Sequence, residues 1–122
     1  MADIDLQVHH LGDGLDQINI IGRLDSAGAQ VLDQPLKALI AGAAQGVLID
    51  LSQVPFLGSM GIRSLLTSAQ AMRRRGGALA LLRPQTLVED VLKMTGIPSL
   101  IPIFHDVEAA RVALKERVVG SA

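Results

Sequence analysis

Apolar and polar positions alternate at the beginning of the chain, and this pattern predicts a pair of strands. Ile4, Leu6 and Val8 each lie between polar neighbours, which is typical of a half-buried strand. The sequence Gly12-Asp-Gly14 is a turn signal, and residues 15–21 supply a second strand. The two strands should therefore form a hairpin.

Helical spacing and short apolar runs then alternate along the rest of the chain. Nearly continuous apolar runs predict three more strands, at residues 47–51, 78–82 and 100–104. Amphipathic segments predict four helices, which should run from about residue 25 to 43, 59 to 75, 86 to 95 and 106 to 117. Pro35 lies inside the first of these helices and predicts a kink or an interruption there. The tail after about residue 117 should fray.

Residues typical of helix termini support these boundaries. Asp25 or Ser26 should cap the first helix, and Asp106 should cap the last. Thr86 and Glu89 have the spacing of a capping box at the third helix. The second helix opens with Ser59 and ends with three arginines and two glycines, a combination that favours a carboxyl end.

The element order β-β-α-β-α-β-α-β-α predicts a single α/β domain over residues 1–122. Strands that alternate with helices imply parallel pairing with right-handed crossovers, and the opening hairpin adds one antiparallel pair. We therefore expect a mixed, mostly parallel sheet of about five strands with about four helices.

Composition and charge exclude several classes of function. The 122 residues are 49% hydrophobic and 2% aromatic, so the core should be aliphatic. Eleven Lys and Arg residues balance twelve Asp and Glu residues, and a duplex nucleic-acid binder needs a more basic face. We interpret Arg73-Arg74-Arg75 as a solvated helix end, because little else basic surrounds it. With no cysteine, no secretory signal and no apolar segment of membrane-spanning length, the sequence predicts a cytoplasmic protein without membrane insertion.

The residues around Ser59 do not match the enzyme motifs that contain a serine in a tight loop. A hydrolase nucleophile elbow needs a glycine at the position of Leu57, and a phosphate-binding loop needs a lysine before the serine. His9, His10 and His105 are expected to be exposed, and they do not have metal-ligand spacing. We therefore expect a protein that is not an enzyme and has no cofactor or metal.

Ser59 is better placed to receive a phosphate group than to perform chemistry. A helix amino end carries unpaired N–H groups and a partial positive charge, so it accommodates a dianion. A partner that covers the loop would not accommodate the same charge. The alternative interpretation, an ordinary N-cap hydroxyl, stays open from the residues alone.

The segment Asp50-Leu-Ser-Gln-Val-Pro-Phe-Leu-Gly-Ser-Met-Gly-Ile62 resembles the signature of STAS domains, which occur in bacterial anti-sigma factor antagonists. Gly22-Arg-Leu-Asp25 resembles the family's turn before the first helix, and residues 96–110 resemble its closing strand and helix. Two positions depart from the signature: Gly58 replaces an aspartate, and Met60 replaces a serine or threonine.

This resemblance implies a non-catalytic, partner-switching regulator. Its partners would be an anti-sigma factor that is itself a serine kinase and a phosphatase that reverses the modification; a weak homodimer also stays open. The modified serine would be Ser59. The contact surface would comprise Arg23, Asp25, Ser26, Phe56, Leu57, Gly58, Ser59, Met60, Gly61, Ile62 and Arg63. The alternative is a STAS subunit of a membrane-associated ABC lipid transport system, in which the same surface would dock onto the ATPase.

Overall fold

A computed structural model of the chain describes residues 3–120, with side chains to residue 118. The strands are β1 (Asp5–Gly12), β2 (Leu15–Ile21), β3 (Gly46–Gln53), β4 (Ala78–Leu82) and β5 (Ile103–Phe104). The helices are α1 (Ser26–Ala41), α2 (Ser59–Arg74), α3 (Thr86–Met94) and α4 (Val107–Gly120), with a 3-10 turn at Ile97–Ser99. The last helix runs past residue 117, where we expected fraying, and residues 121 and 122 lie outside the described residues.

The five strands form one sheet in the order β1-β2-β3-β4-β5. The pair β1–β2 is antiparallel and the other three pairs are parallel, so the prediction of a mixed, mostly parallel sheet is confirmed. The hairpin turn requires left-handed backbone, since Gly12, Asp13 and Gly14 have φ values of 80°, 55° and 75°.

The last strand is shorter than predicted because a 3-10 turn occupies its amino-terminal part. The N–H groups of Leu100 and Ile101 both donate to the carbonyl of Ile97, at 2.8 Å each. Ile101 is fully buried although it lies outside the paired strand. Regular pairing with β4 therefore begins only at Ile103.

Two aliphatic cores lie on opposite faces of the sheet. The larger one packs α1, α2 and α3 against one face, with Leu32, Leu65 and Leu92 among its buried residues. The smaller one packs α4 against the other face through Ala110 and Leu114. Because all four helices follow parallel strands, their amino ends lie at the carboxyl edge of the sheet.

Two expectations about helix interiors and ends are wrong. The predicted interruption at Pro35 is absent, since α1 runs continuously from Ser26 to Ala41; Pro35 is exposed, and so is Val31, whose carbonyl loses its helical hydrogen bond. Thr86 and Glu89 do not form a capping box: Gln85 is the N-cap residue of α3, and Glu89 instead contacts His105 Nε2 at 3.0 Å. The predicted caps at Asp25 and Asp106 are confirmed.

The arginine run is not entirely solvated. Arg75 donates to the carbonyl oxygens of Ile40 and Ala43, at 2.7 and 2.6 Å. These groups lie at the carboxyl end of α1, where carbonyls lack partners within the helix. Arg75 thus joins the carboxyl ends of α1 and α2, whereas Arg73 and Arg74 remain exposed.

Candidate functional site

Two loops meet at the carboxyl edge of the sheet and form the base of the site. We call residues 54–59 the serine loop and residues 22–25 the facing loop. Leu24 N donates to Phe56 O, and Gly58 N donates to Leu24 O, both at 2.9 Å. These bonds form an isolated parallel bridge between Leu24 and Leu57, which are both buried. The bridge holds the two loops in a fixed relation to each other.

Ser59 is the first residue of α2 and is exposed, whereas the N-cap residue is Gly58. The expectation that Ser59 could be an N-cap hydroxyl is therefore wrong by one position. Gly58 has extended backbone, with φ −99° and ψ −178°, and no side chain caps the helix. The first-turn N–H groups of α2 therefore have no side-chain acceptor.

Exposed apolar and cationic side chains surround Ser59. Phe56 and Met60 are each 41% exposed, so two large apolar side chains close to Ser59 in sequence are accessible to a partner. The Arg23 guanidinium lies 4.7 Å from the Phe56 ring centroid and stacks on it. Arg63 is exposed one helical turn after Ser59. This surface combines apolar contact area with positive charge.

Asp25 fixes the facing loop to the start of α1. Its Oδ1 accepts a hydrogen bond from Gly28 N at 2.9 Å, and its Oδ2 lies 3.7 Å from Arg23 Nε. Gly28 has no space for a side chain, because a Cβ there would lie 2.0 Å from the Arg23 carbonyl oxygen. Ser26, the first residue of α1, is exposed beside this cap.

Three residues that we expected on the contact surface are buried instead. Leu57 and Ile62 are 3% and 9% exposed and belong to the larger core, and Gly61 is buried against Leu57 and Leu24. A Cβ at Gly61 would lie 2.7 Å from Leu57 Cδ1 and 3.0 Å from Leu24 Cβ. These residues support the serine loop from below, so their side chains do not face a partner.

Sequence reasoning missed an ion pair that fixes the exit of β3 toward the serine loop. Asp50 is 4% exposed and accepts hydrogen bonds from Ser52 N at 2.7 Å and Arg83 Nη2 at 2.8 Å. Burial alone would raise the pKa of Asp50, but hydrogen bonds from the side chain and backbone of Ser52 and from Arg83, together with the positive charge of Arg83, outweigh it and hold the pKa below its ordinary value of 3.8. The signal in the sequence was an aspartate inside one buried apolar run and an arginine directly after the next.

The histidines lie on the surface and two of them have carboxylate partners. His10 Nδ1 lies 2.6 Å from Asp16 Oδ1, and His105 pairs with Glu89. Among the described residues no group of three or more His, Cys, Asp or Glu side chains could hold a metal ion. Within residues 3–120, no helix has the length and apolar character needed to cross a bilayer.

Comparisons with known proteins agree with this architecture. The family model for the STAS domain matches residues 13–110. The chain is 30% identical over 103 residues to BtrV of Bordetella bronchiseptica, provisionally named an anti-sigma factor antagonist, and the match covers 84% of this chain and 89% of BtrV.

Two solved structures have the same fold. An anti-sigma factor antagonist from Mycobacterium paratuberculosis has a TM-score of 0.81 and 24% identity, covering 93% of this chain and 95% of that one. The Bacillus cell fate determinant SpoIIAA in its phosphorylated form has a TM-score of 0.65 and 18% identity, covering 89% and 98%. Anti-sigma factor antagonists with STAS domains are non-catalytic regulators. With a family match over most of its length, this chain belongs to the STAS domain family.

Proposed function

We propose that this protein is an anti-sigma factor antagonist that binds a serine-kinase anti-sigma factor and is released by phosphorylation of Ser59. A phosphatase would reset the switch. The observation that carries this proposal is an exposed serine hydroxyl at an uncapped helix amino end, beside the exposed Phe56 and Met60. The relationship to BtrV supports the choice of partner class.

The amino end of α2 can accept a phosphate group without loss of the fold. A phosphoserine adds about −1.5 to −2 charges at neutral pH, and the helix dipole favours negative charge in the first turn. Ser59 is exposed and its surroundings include Arg63, so the new charge meets solvent and a cation.

The same phosphate would oppose a partner that covers the serine loop. Contact with Phe56 and Met60 requires a partner to remove water from this surface. A hydrated dianion at Ser59 would then lie inside the interface, where loss of hydration costs several kcal/mol unless it is paired. Modification should therefore release the partner and leave the domain folded.

The two departures from the family signature fit this interpretation. Gly58 has no side chain to cap α2, so the first-turn N–H groups have no side-chain acceptor that would compete with a phosphate on Ser59. Met60 adds a flexible apolar side chain that adapts to a partner surface. Both changes leave the serine in place and accessible.

Labelling with ATP and the cognate anti-sigma factor tests the proposal. We expect one phosphate per chain, mapped to Ser59 by mass spectrometry and absent from Ser59→Ala. Thr86→Ala is the matched control, because Thr86 is also an exposed first residue of a helix, lies outside the expected contact surface and should not affect labelling. Absence of both labelling and binding with every anti-sigma factor of the same organism would rule the proposal out.

A pull-down from lysate distinguishes the alternative function. Recovery of a transporter ATPase, in place of a kinase-like anti-sigma protein, would favour a subunit of an ABC lipid transport system. The exposed apolar surface at Phe56 and Met60 would then dock onto that ATPase.

A further inference from the structure

A groove between α1 and α2 extends away from the serine loop. It consists of two adjoining cavities of about 500 Å³ each, which share Asp33, Lys37, Ser64 and Thr67. One cavity reaches Met60 and Arg63 near the serine loop, and the other reaches Arg74 and Arg75 at the far end of α2. We call this feature the α1/α2 groove.

The floor of the groove is apolar, and its polar groups are already satisfied. Leu36 and Ile40 form part of the floor. Ser64 and Ser68 donate their hydroxyl hydrogens to backbone carbonyls of α2, at 3.3 and 2.9 Å. These serines therefore present small side chains without free donors, and the space beside them suits apolar groups.

Unpaired positive charges are concentrated along the same groove. Within residues 3–120, four Lys or Arg side chains have neither a carboxylate within 4.0 Å nor a hydrogen bond: Lys37, Arg63, Arg73 and Arg74. Three of these four line the groove, and Asp33 is its lining carboxylate. The chain as a whole has a net charge of −1, so this positive rim is local.

We infer that the α1/α2 groove binds an acidic amphipathic helix of the protein partner. The groove runs along α1 from Ala29 to Ala41, about 18 Å, which matches about three turns of a partner helix. Apolar residues on one face of that helix would contact the floor, and flanking Asp or Glu residues would meet the cationic rim. This inference rests on the proposed function, because the partner is the anti-sigma factor that also covers the serine loop.

Two matched pairs of variants test the groove. Arg74→Glu reverses a groove charge, whereas Arg73→Glu reverses an equally exposed charge outside it. Thr67→Trp fills the groove, whereas Gln70→Trp adds the same bulk elsewhere on exposed α2 surface. We expect Arg74→Glu and Thr67→Trp to weaken binding of the anti-sigma factor by about tenfold. The two control variants should bind like the wild type, and circular dichroism should show all four to be folded.

The outcomes separate this inference from the proposed function. If the wild type binds the anti-sigma factor and all four variants bind equally well, the groove inference is wrong and the proposed function stands. If the wild type binds none of the anti-sigma factors, the proposed function fails. In that case, NMR titration with a helical peptide of about 14 residues tests whether the groove binds a helix, independently of the proposed function. The peptide carries leucines on one face and glutamates beside them.

Amide shifts at Thr67, Ser68 and Ala71 on addition of that peptide would support the inference, and their absence would overturn it. Phosphatidylglycerol vesicles provide the competing probe. Shifts of the same amides with vesicles, and not with peptide, would assign the groove to an anionic lipid and overturn the choice of a protein helix.

Discussion

Asp50 and Arg83 determine how the chain leaves β3 and approaches the functional surface. The carboxylate is buried, and the guanidinium side chain is 45% exposed. Arg83 adopts a φ of 50°, a left-handed conformation that costs a non-glycine residue about 1 kcal/mol or more. Hydrogen bonds to Asp50 and from Arg83 N to Phe104 O help to maintain that conformation.

Replacing Asp50 with Asn should destabilise the domain by about 2 kcal/mol at neutral pH, because it removes the charge that holds Arg83. The pKa of Asp50 is lower in the folded state than in the unfolded state. The carboxylate therefore adds to the free energy of unfolding at pH values above its unfolded-state pKa, and this stabilisation is lost as the pH falls through its folded-state pKa. The difference between wild type and Asp50→Asn should therefore shrink below about pH 4.

Urea unfolding across this pH range measures the effect. Asp90→Asn is the control, since Asp90 is exposed and its carboxylate has no ion-pair partner among the described residues. A difference between wild type and Asp50→Asn that persists unchanged at pH 3 would contradict the charge explanation.

At the scale of elements, α2 brings together the serine loop, the groove and the larger core. Ile62, Leu65, Ala69 and Met72 pack inward at helical spacing, as expected of an amphipathic helix. Its amino end has an N-cap without a side chain, and its carboxyl end is joined to α1 by Arg75. The helix is therefore less stabilised at the end that carries Ser59 than at the other.

Replacing Gly58 with Asp should stabilise the domain by about 0.5–1 kcal/mol, because an N-cap carboxylate accepts first-turn N–H groups and favours the helix dipole. The backbone at Gly58 is extended and a Cβ has room, so the substitution adds no strain. Gly58→Ala is the control, because alanine also reduces the conformational freedom of the unfolded chain but its side chain cannot cap the amino end of α2. Gly58→Asp should have a higher melting temperature than Gly58→Ala. The reverse order would show that the first-turn N–H groups of α2 already have acceptors.

The order of elements and most helix faces could be predicted because they depend on local periodicity. Ala78–Leu82 was predicted at its observed bounds, since a continuous apolar run has clear ends. The Pro35 interruption, the Thr86 cap and the long last strand were wrong, because each depends on solvent access or on tertiary hydrogen bonds. The burial of Leu57, Gly61 and Ile62, like the Asp50–Arg83 pair, depends on contacts between distant segments.

At the scale of the whole molecule, the functional surface and the cores are separate. Ser59 is exposed at the end of the serine loop, whereas Leu57, Gly61 and Ile62 are buried and the two apolar ones belong to the larger core. A change of charge at Ser59 should therefore alter association without altering folding. This separation is what a protein switch requires.

Ser59→Asp should melt at the wild-type temperature or slightly above it, because a negative charge in the first turn adds about 0.3–1 kcal/mol. The same variant should lose its anti-sigma partner. Thr86→Asp is the matched control, since Thr86 is an exposed first residue of α3 and lies outside the proposed contact surface. It should retain the partner, and an unfolded Ser59→Asp protein would contradict the separation of surface and core.

The position of α4, which covers its face of the sheet through the smaller core, has a practical consequence. Val112 on this helix is 56% exposed and is separated by the sheet from α1 and α2. Because the native chain has no cysteine, Val112→Cys would provide one thiol for a dye or a solid support. Immobilisation there would leave the proposed contact surface around Ser59 and the α1/α2 groove free for kinetic measurements.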